Sequence, residues 1–143
     1  MPDLTSKSYW SKRAKKYGAE LDCVLVDYRA EEHQKLVEAI LEPYKGLSVL
    51  DVACGYGRFS PLFKHYTGID FCSEMIMLAK DKYPDKRFLE ASDIGETFDV
   101  VFAVIALSSL KMTPQEFNDK WKAKANKAVM VFEVDTFYIF PKL

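Results

Sequence analysis

Val49-Leu50-Asp51-Val52-Ala53-Cys54-Gly55-Tyr56-Gly57-Arg58 decides how this chain is read, because it runs an apolar strand into a turn through two glycines and leaves a carboxylate at the strand's end. A turn of this kind grips a small ligand. The acid selects the ligand: a fixed negative charge beside a diphosphate is repelled at short range, so Asp51 favours a cationic or hydroxyl-rich molecule over a pyrophosphate.

Downstream of this stretch, strand and helix patterns alternate. Leu47 to Val52 reads as a first buried strand, Phe59 to His65 as a short helix, Tyr66 to Asp70 as a second strand, and Ser73 to Tyr83 as a helix stopped by Pro84. Arg87 to Ala91 is a third strand. Asp99 to Ile105 is a continuous apolar run, the mark of a central parallel strand covered on both faces. Thr113-Pro114-Gln115-Glu116 is a capping box with proline at the first helical position, opening a helix to about Asn126, and Ala128 to Val134 is a fifth strand. The alternation argues for a parallel, doubly wound α/β sheet, where ligands sit outside the carboxyl ends of the strands at the point where strand order reverses.

Upstream, residues 5 to 17 read as a basic, aromatic-bearing helix, and residues 30 to 43 as a second one. Leu36, Val37, Ile40, Leu41 and Tyr44 give that second helix one apolar face. Cys23 to Tyr28 is ambiguous between strand and helix. No repeat or linker divides the sequence, so the expected organisation is one domain over 1–143, with residues 1–45 a helical extension or lid and 46–143 the ligand-binding core.

Composition narrows the function classes. The 143 residues are 49% hydrophobic and 14% aromatic, enough for one buried core. Twenty basic against 21 acidic residues give a formal net charge of -1, so no overall field draws the molecule to nucleic acid or an anionic membrane. Three cysteines, Cys23, Cys54 and Cys72, show no paired spacing, and His33 and His65 lie far apart, which indicates neither a disulfide framework nor a zinc site. Both histidines read as helix-surface residues and Cys54 as a buried filler. The polar N-terminus lacks a signal-peptide pattern and the longest apolar run, Val100 to Leu107, is too short to span a bilayer, so a cytoplasmic setting is expected.

Four elements in order carry a family likeness: Val49 to Gly57, Gly68-Ile69-Asp70, Ala91-Ser92-Asp93-Ile94, and Phe98-Asp99-Val100-Val101-Phe102. In these the chain resembles the class I S-adenosylmethionine-dependent methyltransferases of small-molecule type, from roughly Tyr9 to Asp135. The resemblance implies a Rossmann-like three-layer αβα sandwich with a mostly parallel sheet in the order 3-2-1-4-5, and S-adenosyl-L-methionine as cofactor.

It also implies roles. Ala53, Cys54, Gly55 and Gly57 would form the loop against the methionine and ribose portions, the glycine backbones approaching closely where a Cβ would obstruct. Asp51 would face the ligand's amino group, and Asp70 would accept from both ribose hydroxyls, a task for two acceptor oxygens on one side chain. Phe71 and Met75 would flank the adenine, Ser92, Asp93 and Ile94 would form its loop, with Asp93 receiving the exocyclic amine and Ile94 packing on the ring, and Val104 is counted among the cofactor-binding residues. In the leading helix, Tyr9 would close the pocket and Arg13 would pair with the methionine carboxylate.

Duller explanations stand beside these. Asp70 or Asp93 alone would cap a helix as readily as hold a ligand; with Asp51 at a third strand end, their joint placement favours the ligand. A dinucleotide fingerprint is disfavoured, since Gly55-Tyr56-Gly57-Arg58-Phe59-Ser60 lacks its third glycine or alanine. Lys7, Lys12, Arg13, Lys15 and Lys16 read as a solvated helix face rather than a nucleic-acid patch.

Two departures from the family bear on chemistry. Ser108 and Ser109 occupy positions where related enzymes often carry a histidine pair, so no evident general base remains and the catalytic residues are unassigned. The Asn-Pro-Pro-Tyr-like signature of nucleic-acid amino methyltransferases is absent too. The expected acceptor is a small hydrophobic or self-ionising molecule. After Asp135 only eight residues follow, so the sheet should lack most of the usual C-terminal strand pair. That leaves an edge to be covered by the aromatic tail, by a second copy or by a partner protein. The expected activity is methyl transfer to a small molecule; the alternative is a catalytically inactive, cofactor-binding or scaffolding subunit.

Overall fold

In the computed structural model, which describes residues 6–17 and 29–142, the six strands form one sheet in the order β3-β2-β1-β4-β5-β6. The strands are β1 (Ser48–Val52), β2 (His65–Asp70), β3 (Arg87–Glu90), β4 (Phe98–Val104), β5 (Ala125–Phe132) and β6 (Phe137–Pro141). β1 to β5 are parallel and β6 pairs antiparallel with β5. The helices are α1 (Lys7–Tyr17), α2 (Arg29–Leu41), α3 (Ser73–Lys82), α4 (Leu107–Leu110) and α5 (Pro114–Trp121). The expected doubly wound order 3-2-1-4-5 is therefore present, with a sixth strand added. Cys23 to Tyr28 lies outside the described residues.

Side-chain alternation sorts the core onto two faces. Val49, Tyr66, Phe88, Val100, Phe102, Met130 and Phe132 point to one, where Val37 and Leu41 of α2, Ile76 and Ala79 of α3, and Phe59 and Phe63 of the β1–β2 connection cover them. Leu50, Val52, Ile69, Val101, Ala103, Val129 and Val131 point to the other, under Leu107 of α4 and Phe117 and Trp121 of α5. Phe63, Phe102 and Trp121 are almost wholly buried, and truncating such a side chain to alanine costs about 3–5 kcal/mol.

The expected helix over Phe59 to His65 is a single 3-10 turn, Ser60–Leu62. Only residues 53–64 are available to bring the chain from β1 to the start of β2, near the minimum for a parallel crossover. Glycine turns consume the first half, and the rest can do little but drop Phe59 and Phe63 onto the sheet. The expected capping box is present: Thr113 Oγ1 accepts from the Glu116 amide at 3.1 Å, and Glu116 Oε1 accepts from the Thr113 amide at 3.0 Å. Its helix is shorter than expected. After Trp121 the chain tightens into a 3-10 turn, Lys122–Lys124, and β5 starts at the buried Ala125.

At the far side the aromatic tail covers the β5 edge. Glu133 N donates to Thr136 O at 3.0 Å to turn the chain, and β6 returns along β5 with Phe137 opposite Phe132, their rings 5.1 Å apart. His33 packs against this hairpin and is buried rather than on the helix surface; its Nε2 lies 2.7 Å from the Glu133 carbonyl and its ring meets Phe137 edge-on at 5.5 Å.

Candidate functional site

The carboxyl ends of β1, β2 and β4 open into a crevice at the reversal of strand order. Its floor is the loop after β1. Ala53 and Gly55 both adopt left-handed backbone, at φ 58° and 59°. A Cβ at Gly55 would point into open space, so the missing side chain leaves a cradle along the crevice floor. The Gly55 amide donates to Asp70 Oδ2 at 2.9 Å, and the Cys72 amide donates to Asp70 Oδ1 at 2.9 Å. Each carboxylate oxygen thus holds one backbone donor and keeps lone-pair capacity toward the crevice. Burial pushes the Asp70 carboxyl up from the ordinary range, and the Cys72, Gly55 and Phe71 amides oppose that shift.

Two compartments share Ala53, Asp70, Phe71 and Ser109 as lining. One runs over Gly55 toward Trp10, Tyr56 and Arg58, with Met75 at one side and Val104, Ile105 and Ala106 opposite. The other, about 360 Å³, runs past Ala91 and Ser92 toward Leu110, Met112 and Trp121. It is roomy because β3 passes to β4 through residues 91–97 with no helix between them.

Of the residues singled out from the sequence, Ala53, Cys54, Gly55, Asp70, Phe71, Met75 and Val104 line the first compartment and Ser92 the second. Ile94 packs against the core on the face covered by α4 and α5 instead. Gly57, Asp93 and Tyr9 sit elsewhere. Gly57 lines neither compartment: at φ 81° its missing Cβ makes room for the Phe88 ring beneath the loop, so packing rather than ligand approach requires this glycine. Asp93 is exposed, its Oδ1 2.5 Å from Lys124 Nζ and 2.8 Å from the Ile94 amide. That lysine holds the carboxyl below its usual range and turns it away from the other acids. Tyr9 stacks edge-on against Trp10 at 5.0 Å, and Trp10 rather than Tyr9 forms the wall. The side chain of Arg13 lies outside what the structure describes.

Asp51 lines neither compartment; it lies under the loop, 2% exposed. Tyr66 Oη donates to its Oδ2 at 2.5 Å. Burial raises its carboxyl to about 7, opposed by the Tyr66 hydrogen bond and the nearby Arg58 charge and assisted by Asp70. The Cys54 thiol is pushed well up, first by burial and then by Asp51 and Asp70, which suits a packed thiol and not a nucleophile.

Sequence reasoning missed Trp10, Arg58, Ile105 and Ala106. Arg58 directly follows the glycine turn and was within reach of the motif. It is held by Gln34, whose Oε1 is 3.3 Å from Nη1, and lies over the Phe59 ring at 4.6 Å. Ile105 had no signal: a β-branched residue at φ 51° is rare, and here its amide is tied to Phe132 O at 2.7 Å. Trp10 is placed by α1, which Ser11 anchors through a 2.7 Å bond from its Oγ to Glu74 Oε2 on α3. Among the described residues no group of three or more His, Cys, Asp or Glu could hold a metal ion, and no helix is long and apolar enough to cross a membrane.

Residues 50–126, more than half of the chain, match the protein family described as "Methyltransferase domain". The chain belongs to this methyltransferase family. Malonyl-[acyl-carrier protein] O-methyltransferase of Pectobacterium atrosepticum is 25% identical over 104 residues, covering 66% of this methyltransferase-family chain and 41% of that protein. The chain thus spans about two-fifths of the length of the curated relative it matches. Among solved structures, a magnesium protoporphyrin IX methyltransferase from Synechocystis PCC 6803 with bound SAM superposes with a TM-score of 0.61 at 19% identity, over 92% of this chain and 76% of that one. A DhpI-SAM-HEP complex gives 0.68 at 17% identity, over 100% and 83%. These likenesses show the fold, and the residues of the crevice fit the cofactor that the family implies: the open cradle at Gly55 and the doubly oriented Asp70 carboxylate suit a hydroxyl-bearing nucleoside.

Proposed function

We propose that the crevice binds S-adenosylmethionine and that the chain catalyses transfer of its methyl group to a small-molecule acceptor. The observation that carries this reading is the Asp70 carboxylate, fixed by two backbone amides beside the open Gly55 cradle. The cofactor supplies a methyl group already activated on a sulfonium. The protein's tasks are to hold, align and exclude water, and alignment alone is a large part of such a rate enhancement.

Asp70 would accept from the ribose hydroxyls, Gly55 would admit the ligand's backbone-hugging portion, and Phe71 and Met75 would pack on the purine. Asp51, below the loop, would offer its carboxylate to the amino group. The 360 Å³ compartment by Ser92 is the natural place for the base. Asp93 would need to leave Lys124 to take part.

The acceptor side is walled by Val104, Ile105 and Ala106, with Ser109 as its near polar group. Among the described residues neither a histidine nor a second carboxylate lines this part of the crevice. This apolar lining fits a small-molecule acceptor that is apolar or ionises by itself. The position of Trp10 supports a lid role for α1, and the exposed Tyr138 and Ile139 on the β6 edge support self-association there. A cytoplasmic setting completes this reading.

Titration calorimetry with S-adenosylhomocysteine tests binding; absence of heat and of a thermal shift at millimolar ligand would sink the reading. Transfer is tested with methyl-labelled cofactor and a metabolite panel or cell extract. Labelled small molecules are expected, whereas binding without label transfer would favour a binding subunit.

A further inference from the structure

Tyr66 and Gly68 are successive residues on one face of β2, and their pairing has a chemical outcome. A Cβ at Gly68 would lie 2.8 Å from both Tyr66 Oη and Cys54 Sγ and 3.0 Å from Phe88 Cδ1. The glycine therefore leaves a slot along the strand. Tyr66 lies in it, flanked by Phe63 and Phe88 with ring centroids 6.2 and 5.6 Å away, and its hydroxyl is carried forward beneath the loop. There it meets Asp51, which sits opposite Gly68 in the parallel register. Tyr66 and Asp51 are both nearly inaccessible to water. Among the described residues no hydrogen bond engages Asp51 Oδ1.

Resting on the cofactor reading above, we propose that Tyr66 is a positioning residue for cofactor capture: through the Gly68 slot it fixes the Asp51 carboxyl under the glycine loop, and this pair gives up a proton when a cationic amino group arrives above it. The charged and titratable groups facing Asp51 are Tyr66 and Asp70 from β2, and Cys54 and Arg58 from the loop. Arg58 favours the ionised carboxyl and Asp70 the neutral one. Burial holds part of the population neutral near pH 7. An incoming ammonium adds an opposite charge and tips the balance toward carboxylate; the proton leaves to solvent, and no bond other than O–H is broken.

The experiment is calorimetry with S-adenosylhomocysteine from pH 6 to 8.5, repeated in buffers of different ionisation enthalpy to count protons. Wild type is expected to release a fraction of a proton near pH 7 and to bind more tightly as pH rises, levelling above about 8. Tyr66→Phe keeps the ring in its slot but loses the donor. Its affinity at pH 7 is expected to fall roughly tenfold, with the inflection moved to higher pH and the loss shrinking toward pH 8.5. Asp51→Asn is expected to bind weakly with a flat profile and no proton release. A purely structural role for Tyr66 would lower affinity equally at every pH and overturns the proposal. So does tight binding by wild type without proton exchange, which leaves the cofactor reading standing; no binding at any pH overturns both.

Discussion

The two sides of the crevice are built on opposite plans. The β1–β2 side carries the oriented polar groups: a left-handed loop, a carboxylate with both oxygens oriented by amides and, beneath the loop, a second carboxyl bonded to a tyrosine. On the β4–β5 side the wall is Val104, Ile105 and Ala106, and the carboxylate of Glu133 accepts from the Leu107 amide that starts α4 at 3.1 Å. One side is polar and oriented, the other apolar. Under the proposed function the first would grip the donor, and the second would leave room for the acceptor.

The largest test of this contrast is Asp70→Ala, which removes the acceptor on which two amides converge. Loss of about 3 kcal/mol of ligand binding, over a hundredfold in Kd for S-adenosylhomocysteine, is expected by calorimetry. Next come the two glycines, which separate grip from packing. Gly57→Ala drives a methyl into the Phe88 ring at a left-handed position, and should cost about 2–3 kcal/mol in a denaturant melt. Gly55→Ala meets no atom; its melt should move by only about 1 kcal/mol while ligand affinity collapses.

Asp51 gives a smaller effect with a defined pH sign. Burial raises its folded carboxyl to about 7 from an ordinary 3.8, so the stability tied to its protonated form is fully present below about pH 4 and is lost as pH rises through 7. The Asn variant should match wild type at pH 4, gain on it steadily up to pH 7 and hold that lead above it, read from melts across the range. The smallest effect belongs to the apolar side. Glu133→Ala removes the acceptor for the Leu107 amide and should cost about 1 kcal/mol of stability, with cofactor-analogue affinity within twofold of wild type.

Much of the committed side was legible in the sequence. Apolar runs broken by glycine and proline announced the strands, the Thr113 capping box announced α5, and the acid at the end of β2 announced Asp70. What escaped depends on distance in the fold rather than on local pattern. Asp93 looked equivalent to Asp70 along the chain, yet Lys124, thirty-one residues away, claims it. Gly55 and Gly57 looked like one signal; only the Phe88 ring beneath distinguishes them. His33 had the polar character of a surface residue until the hairpin at Glu133 closed over it. Trp10 over Tyr9 was settled by the bond between Ser11 and Glu74, and no periodicity encodes that.

The brief passage from β1 to β2 carries a last implication. Residues 53–64 join two strands paired along their length, and the turn is tied by Cys54 N to Ile69 O, Gly57 N to Cys54 O and Ser60 N to Gly57 O, so the ligand-gripping turn is held by the sheet and by its own backbone. Affinity should survive warming until the sheet itself gives way, so that the grip on nucleoside and the global melt vanish at one temperature. Variation in what is methylated would then arise across the crevice, around α4, where sequence can drift without threatening the architecture.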